Sequence, residues 1–294
     1  MSESDGGSSD SVGAVSDREA VLITAEQLAA AISGSRPPAI LDVRWRLDQP
    51  DGFGDYLAGH LPGAVYVSLE DDLSDHSRPG LGRHPLPEGA AVQAAARRWG
   101  VRSGQPVVVY DDWNRAGSAR AWWVLTAAGI PGVRILDGGL PAWTTAGGAL
   151  ESGPVQRPVG DVSVAHDDLY AGARPTVTAD QISAGAPATV LDARSPERYR
   201  GEVEPVDPVA GHVPGARNLP SVRLLTADGW FRNDADLAAL ADEVGAGAST
   251  AVYCGSGVTA SVVLAALSAV GIDAALFPGS WSQWSAQDRP AATG

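Results

Sequence analysis

The sequence predicts an α/β protein made of two tandem copies of one unit, each a mainly parallel sheet with helices on both faces. Three observations lead there. Four blocks recur in the same order in the two halves of the 294-residue chain, the mark of an internal duplication. Short apolar runs alternate with helix-like segments, the pattern of βα units. The apolar runs also lack the in–out alternation of a sheet with one wet face, so their strands are covered on both sides.

The first block is "ITAEQLAAAISGSRPPAILDVRW", repeated as "VTADQISAGAPATVLDARS". Each copy opens with a capping box, Thr24 with Gln27 and Thr178 with Gln181, which predicts a helix start. Each then enters a short strand ending in Leu-Asp-x-Arg. The second block pairs "AGHLPGAVYV" with "AGHVPGARNL". Its His60 and His212 are expected to be structural, because both halves carry one. The third pairs "PVVVYDDWNRAGSARAWWVLTAAGI" with "STAVYCGSGVTASVVLAALSAVGI", each a strand, a turn and a helix. Trp122 and Trp123 on the first of these helices are expected in the core or at the domain interface. The fourth, "VRILDGGLPAW" and "AALFPGSWSQW", is a strand followed by a Gly-Trp motif. Trp281 is expected to pack in the core close to a cleft.

Residues 1–17 are polar, acidic and rich in Gly and Ser, and are expected to be a disordered tail. The first domain is expected over 18–150 and the second over 176–294. Between them 151–175 is rich in Gly, Pro and Asp and is expected to be the linker.

Bulk composition narrows the function classes. Lys and Arg total 21 against 35 Asp and Glu, a net charge of −14, which argues against nucleic acid or an anionic membrane as main partner. The one cysteine excludes an internal disulfide and a cysteine-rich metal site. No apolar run approaches the length of a membrane helix, and the first residues lack a basic, then apolar, leader. The expected location is the cytoplasm.

That one cysteine, Cys254, stands in "VYCGSGVTA" between an apolar strand and a helix near Thr259. Ligands of open α/β sheets bind beyond the carboxyl ends of the strands. Gly255 and Gly257 let successive N–H groups turn inward beside a helix N-terminus, which favours an anion. A thiolate is such an anion, so the turn suits a nucleophile better than a buried apolar thiol. The equivalent position in the first half is Asp111 or Asp112, so that turn has no thiol and is expected to be scaffold and cleft wall. A phosphatase of similar layout needs an arginine six residues after its cysteine, and Ala260 stands there.

The repeated blocks, the paired "GHLPGA" and "GHVPGA", and the loop "CGSGVTA" with the terminal "GSWSQW" resemble the tandem rhodanese-fold sulfurtransferases from about Ser16 onward. The fold class implied is two tandem rhodanese-like domains, with the nucleophile in the second. Thiosulfate sulfurtransferases typically carry "CRKGVTA", whereas "CGSGVTA" is the mercaptopyruvate form. A neutral loop suits a donor whose carboxylate lies away from its reacting sulfur.

The resemblance implies transfer from 3-mercaptopyruvate through a Cys254 persulfide to a thiol, cyanide or a thioredoxin-like protein, with no metal or organic cofactor. Thiosulfate:cyanide transfer by the same cysteine, or a non-catalytic sulfur-carrier or protein-binding module, are the alternatives. The substrate-binding set implied is Arg198, Arg194, Gly255, Gly257, Val258 and Thr259, although Arg44 repeats Arg194 and points to a scaffold ion pair. Related animal enzymes place a second substrate arginine where this chain has Asp207. The resemblance also implies a relay of Ser256, His84 and Asp72 across the domain cleft. The spacing leaves Asp71 and Asp75 open as replacements for Asp72.

Overall fold

The computed structural model describes residues 16–294. The chain enters it through α1 (Asp17–Val21), whose N-cap Ser16 forms a reciprocal capping box with Glu19. Ser16 and Asp17, the last two residues of the expected tail, thus belong to the start of this helix. The remainder of that tail lies outside the described residues.

In the first half follow β1 (Leu22–Ile23), α2 (Ala25–Ile32), β2 (Ala39–Asp42), α3 (Phe53–Ala58), β3 (Val65–Tyr66), α4 (Leu69–Asp72), α5 (Gly89–Arg98), β4 (Val107–Tyr110), α6 (Ala116–Ala127), β5 (Val133–Leu136) and α7 (Gly139–Thr145). The second half has α8 (Ala179–Ser183), β6 (Thr189–Asp192), α9 (Pro196–Arg200), β7 (Arg217–Asn218), α10 (Asp234–Glu243), β8 (Thr250–Tyr253), α11 (Ala260–Ser268), β9 (Ala275–Leu276) and α12 (Ser280–Ala286). The two Thr–Gln capping boxes start α2 and α8. One sheet has the order β1-β5-β4-β2-β3 and the other β7-β6-β8-β9, with every pairing parallel. Thr176 makes a further parallel bridge to Leu276, where β1 lies in the first sheet. Both central strands, β4 and β8, are buried throughout, which is why they read as unbroken apolar runs.

The segment 151–175 lies along the first half instead of hanging free. Gly153 donates to Leu57 O, Gly160 to Arg97 O and Ala165 to Ala128 O, and Val162 is buried. Helices α6 and α11 pack against each other, and one apolar cluster spans both halves, Trp122 and Trp123 included.

Each half carries the same buried polar knot. Arg44 holds Asp42 and the carbonyl of Gly59; Arg194 holds Asp192 and the carbonyl of Gly211. Burial raises the Asp42 carboxyl to about 6, against the opposing pull of Arg44. His60 stacks on Tyr56 and His212 on Tyr199, each bound to a backbone carbonyl. The Gly-His-x-Pro-Gly turns are therefore pinned in both halves.

Helix α1 also ties the halves together. Arg18 binds Asp137 of the first half and the carbonyls of Phe231 and Arg232 in the second. Replacing Arg18 with Met is expected to cost about 1–2 kcal/mol of stability, because charge-assisted bonds in a partly exposed setting are lost. Thermal unfolding of the full chain measures this as a midpoint lower by several degrees.

Candidate active site

Cys254 follows β8 directly and is 2% exposed. Its sulfur accepts the Gly257 N–H at 3.2 Å, and its own N–H donates to Ser280 Oγ. The turn after β9 braces the loop from behind: Trp281 N donates to Cys254 O and Ser282 N to Gly255 O. Gly257 has φ +80°, and a Cβ there would lie 2.6 Å from Pro278 O. Only glycine holds this turn without strain. Thr259 caps α11, whose N-terminus adds partial positive charge toward the loop.

A cleft of about 330 Å³ opens over the sulfur. Its walls include Cys254, Gly255, Ser256 and Thr259 from the loop, Arg194 and Arg198 beside it, and Trp45, Arg83 and Trp113 from the first half. Gly257 offers its N–H to the sulfur, and the Val258 side chain is buried in the apolar core.

His84 reaches across from the first half. Its Nδ1 lies 2.7 Å from Ser256 Oγ, and its Nε2 lies 3.1 Å from Glu70 Oε1. Glu70 also accepts from Trp45 Nε1 and pairs with His76. The hydrogen bond from His84, joined by that from Trp45, holds the Glu70 carboxyl down at about 2, against burial. Burial lowers the His84 pKa below its usual 6.5, more than Glu70 raises it. A neutral imidazole facing an ionised carboxylate donates from Nε2, which leaves Nδ1 to accept the Ser256 hydroxyl. Arg120, fully buried, fixes the segment by donating to the carbonyls of Leu73 and His84.

The carboxylate expected in this chain, Asp72, is not in contact with His84. Its oxygens take the Ser68 N–H and an ion pair with Arg98. Asp71 pairs with the Ser68 cap, and Asp75 caps Ser77. Glu70 faces the histidine instead because α4 turns each residue about 100° from the last, so Asp72 points elsewhere. The pattern Ser68-x-x-Asp71 is a capping signature that assigns Asp71 to the helix start; no comparable signal marked Glu70.

Arg194 forms the ion pair that its twin Arg44 pointed to. Its side chain is 2% exposed and is taken up by Asp192, Glu204 and Gly211 O, and it covers the Trp281 ring. It braces the cleft wall, as Arg44 does in the other half. Arg198 lines the cleft with its side chain 16% exposed, paired at 2.6 Å with Glu204 and at 3.3 Å with Asp207. Asp207 accepts a second arginine, Arg83, at 2.8 Å. Sequence reasoning missed Arg83; its position directly before His84 was the available signal.

The pairing of Asp42 with Tyr110 and of Asp192 with Tyr253 makes Asp111 the counterpart of Cys254. Its carboxylate fills its own loop, accepting the N–H groups of Trp113, Arg115 and Ser118.

A single thiol in an amide turn at the end of a central parallel strand, with a Ser–His–carboxylate chain at its edge, defines an α/β enzyme built on one nucleophile. The rhodanese-like domain profile matches residues 24–146 and again 175–287. The chain belongs to the rhodanese family and is a sulfurtransferase. It is 62% identical over 280 residues to SseB of Mycobacterium tuberculosis, whose name carries a provisional thiosulfate sulfurtransferase assignment, covering 94% of this chain and 98% of that one. It is 37% identical over 241 residues to the 3-mercaptopyruvate sulfurtransferase of Escherichia coli, 79% of this chain and 83% of that one. The crystal structure of SseA from Escherichia coli, a 3-mercaptopyruvate enzyme by its description, superposes with a TM-score of 0.77 at 33% identity, covering 89% of this chain and 98% of that one.

Replacing Glu70 with Gln is expected to slow sulfur uptake from a proton-requiring donor by about 100-fold, the scale of general acid–base help. Asp72→Asn is expected to leave that rate within about twofold. Stopped-flow measurement of the donor half-reaction on both variants decides between the two carboxylates.

Proposed function

We propose that the protein moves sulfur from 3-mercaptopyruvate to a thiol or cyanide through a persulfide on Cys254. The observation that carries this reading is the Ser256–His84–Glu70 chain beside the thiol. Mercaptopyruvate leaves as an enolate whose carbon needs a proton. Thiosulfate leaves as sulfite, which needs none on carbon.

The Cys254 thiolate attacks the donor sulfur, forming S–S as the C–S bond breaks, and the electron pair passes to the enolate of pyruvate. The donor's own thiol proton is taken through Ser256 by neutral His84 and returned to the methylene carbon. The products are pyruvate and the Cys254 persulfide anion, so atoms and charge balance. The Gly257 N–H and the α11 terminus stabilise negative charge on sulfur at both stages. An acceptor thiolate or cyanide then attacks the outer sulfur and releases the Cys254 thiolate. With one cysteine in the chain, the acceptor comes from outside: a small thiol, cyanide or a reduced thioredoxin-like protein. Dependence on free thiols suits a reducing compartment, and the cytoplasm is the proposed location. Among the described residues, no helix is long and apolar enough to cross a membrane.

A second reading, thiosulfate as donor, is favoured by the name of the Mycobacterium tuberculosis relative. Intact-protein mass and steady-state kinetics separate the two. Brief treatment with 3-mercaptopyruvate is expected to add one sulfur, about 32 Da, absent in Cys254→Ser. Its kcat/KM is expected to exceed that of thiosulfate by about tenfold or more; the reverse order keeps the nucleophile and overturns the donor. The base must be neutral, and burial lowers the His84 pKa. Sulfur uptake from mercaptopyruvate should therefore keep more than half its rate at pH 6.5 and be half-lost only below it. A loss centred above the usual imidazole value of 6.5 contradicts the assignment of His84 as base.

A further inference from the structure

The parallel ladder between β8 and β9 is opened at its last rung, beside the cysteine. Registered pairing stops at Val252 with Leu276. Phe277 N–H still donates to Val252 O at 2.9 Å, one half of the pair of bonds that would join Phe277 to Tyr253 in a parallel ladder. The other half would run from Cys254 N–H to Phe277 O. The hydroxyl of Ser280 stands between those two groups: it accepts the Cys254 N–H at 3.2 Å and donates to Phe277 O at 3.0 Å. The strand end that carries the nucleophile is thus held one hydroxyl away from its neighbour.

Ser280 occupies this place against its own backbone preference. It has φ +52°, in the left-handed region where a side chain is strained, and it is fully buried. Its counterpart in the first half is Gly139, with φ +57°. The backbone there bonds alike: Leu140 N donates to Asp111 O as Trp281 N donates to Cys254 O. Glycine makes the same turn without strain, so the turn alone does not call for serine; the hydroxyl does. The turn also meets the cysteine loop at further points. Trp281 N and Ser282 N donate to Cys254 O and Gly255 O, and Pro278 O lies against Gly257, whose N–H points at the sulfur. A shift of the rung at Cys254 N is therefore felt at the sulfur.

We propose that Ser280 is a positioning residue for sulfur transfer: inserted as a spacer between β8 and β9, it fixes where the cysteine loop leaves the sheet and so keeps the Gly257 N–H on the sulfur. The proposal rests on Cys254 as the nucleophile and not on the identity of the donor. Without the hydroxyl the rung is expected to close, with Cys254 N–H bonding Phe277 O directly and the nucleophile drawn toward β9.

The test compares Ser280→Gly and Ser280→Ala in the full chain. Glycine removes the strain and lets the rung close, so its thermal midpoint is expected within a few degrees of wild type. Alanine keeps the strain, and its methyl group blocks the rung and leaves the buried Cys254 N–H unpaired, so its midpoint falls. In both variants kcat for sulfur uptake from 3-mercaptopyruvate is expected to drop about tenfold, with KM within about twofold, because the reacting atom is misplaced while the cleft walls are not. Alkylation of the single thiol by iodoacetamide needs no sulfur donor; it forms an S–C bond as iodide leaves. It should slow by a similar factor, since a displaced N–H leaves less of the sulfur as thiolate. Either rate left unchanged in Ser280→Gly overturns the proposal, and so does a loss that only tracks a lost folded fraction. If neither 3-mercaptopyruvate nor thiosulfate loads the wild-type cysteine, the donor reading fails, and the alkylation rate alone decides for or against Ser280.

Discussion

The hydrogen bond from Ser256 to His84 joins the two halves of the chain beside Cys254. Ser256 is placed by the cysteine loop. His84 is placed by a segment of the other domain that Arg120 holds from below and Ser282 and Gln283 hold from the side. Glu70 and Arg83 arrive on the same segment or the helix before it. Packing of α6 on α11 is therefore a condition of chemistry as well as of stability. A loss of a few kcal/mol at this interface would uncouple proton transfer from sulfur transfer without unfolding either sheet.

The duplicated loops show how one backbone device takes two roles. In both halves a strand end, a tight turn and a helix N-terminus gather N–H groups around an anion. In the second half the Gly257 N–H points at the Cys254 sulfur, which lies at the cleft wall. In the first it is the carboxylate of Asp111, already satisfied by its own loop and by Arg115. Arg115 lies fully buried with φ +65°, and its side chain fills the space beside Gly139. This loop is closed to a ligand, which freed the first half to supply the opposite wall: Trp45, Arg83, His84 and Trp113.

Much of this was legible from sequence because it is local or repeated. The capping boxes, the strand before Cys254 and the glycine needed at 257 each follow from a few adjacent residues. The scaffold role of Arg194 was visible in its twin, Arg44. What sequence could not place was the angular phase of a one-turn helix and the meeting of distant segments. Glu70, Asp71 and Asp72 are adjacent acids, and α4 alone decides which one faces His84. Arg83 and Arg198 are 115 positions apart in a chain whose cations are all arginine, so composition offered nothing to distinguish the pair. The Ser16–Glu19 capping box was passed over for a simpler reason: it directly follows a polar, Gly- and Ser-rich sequence.

The placement of charge explains how a cysteine loop without cations can serve an anionic donor. A cation within the loop would sit against the sulfur and favour a compact dianion there. It would also stabilise the resting thiolate and weaken it as a nucleophile. Here the loop contributes only amide dipoles, and the cations stand one residue aside, tethered by buried carboxylates. Glu204 and Asp207 thereby fix where Arg198 and Arg83 stand relative to the loop. One arginine comes from each half of the chain, so the contact between the two domains sets the spacing of the two cleft walls.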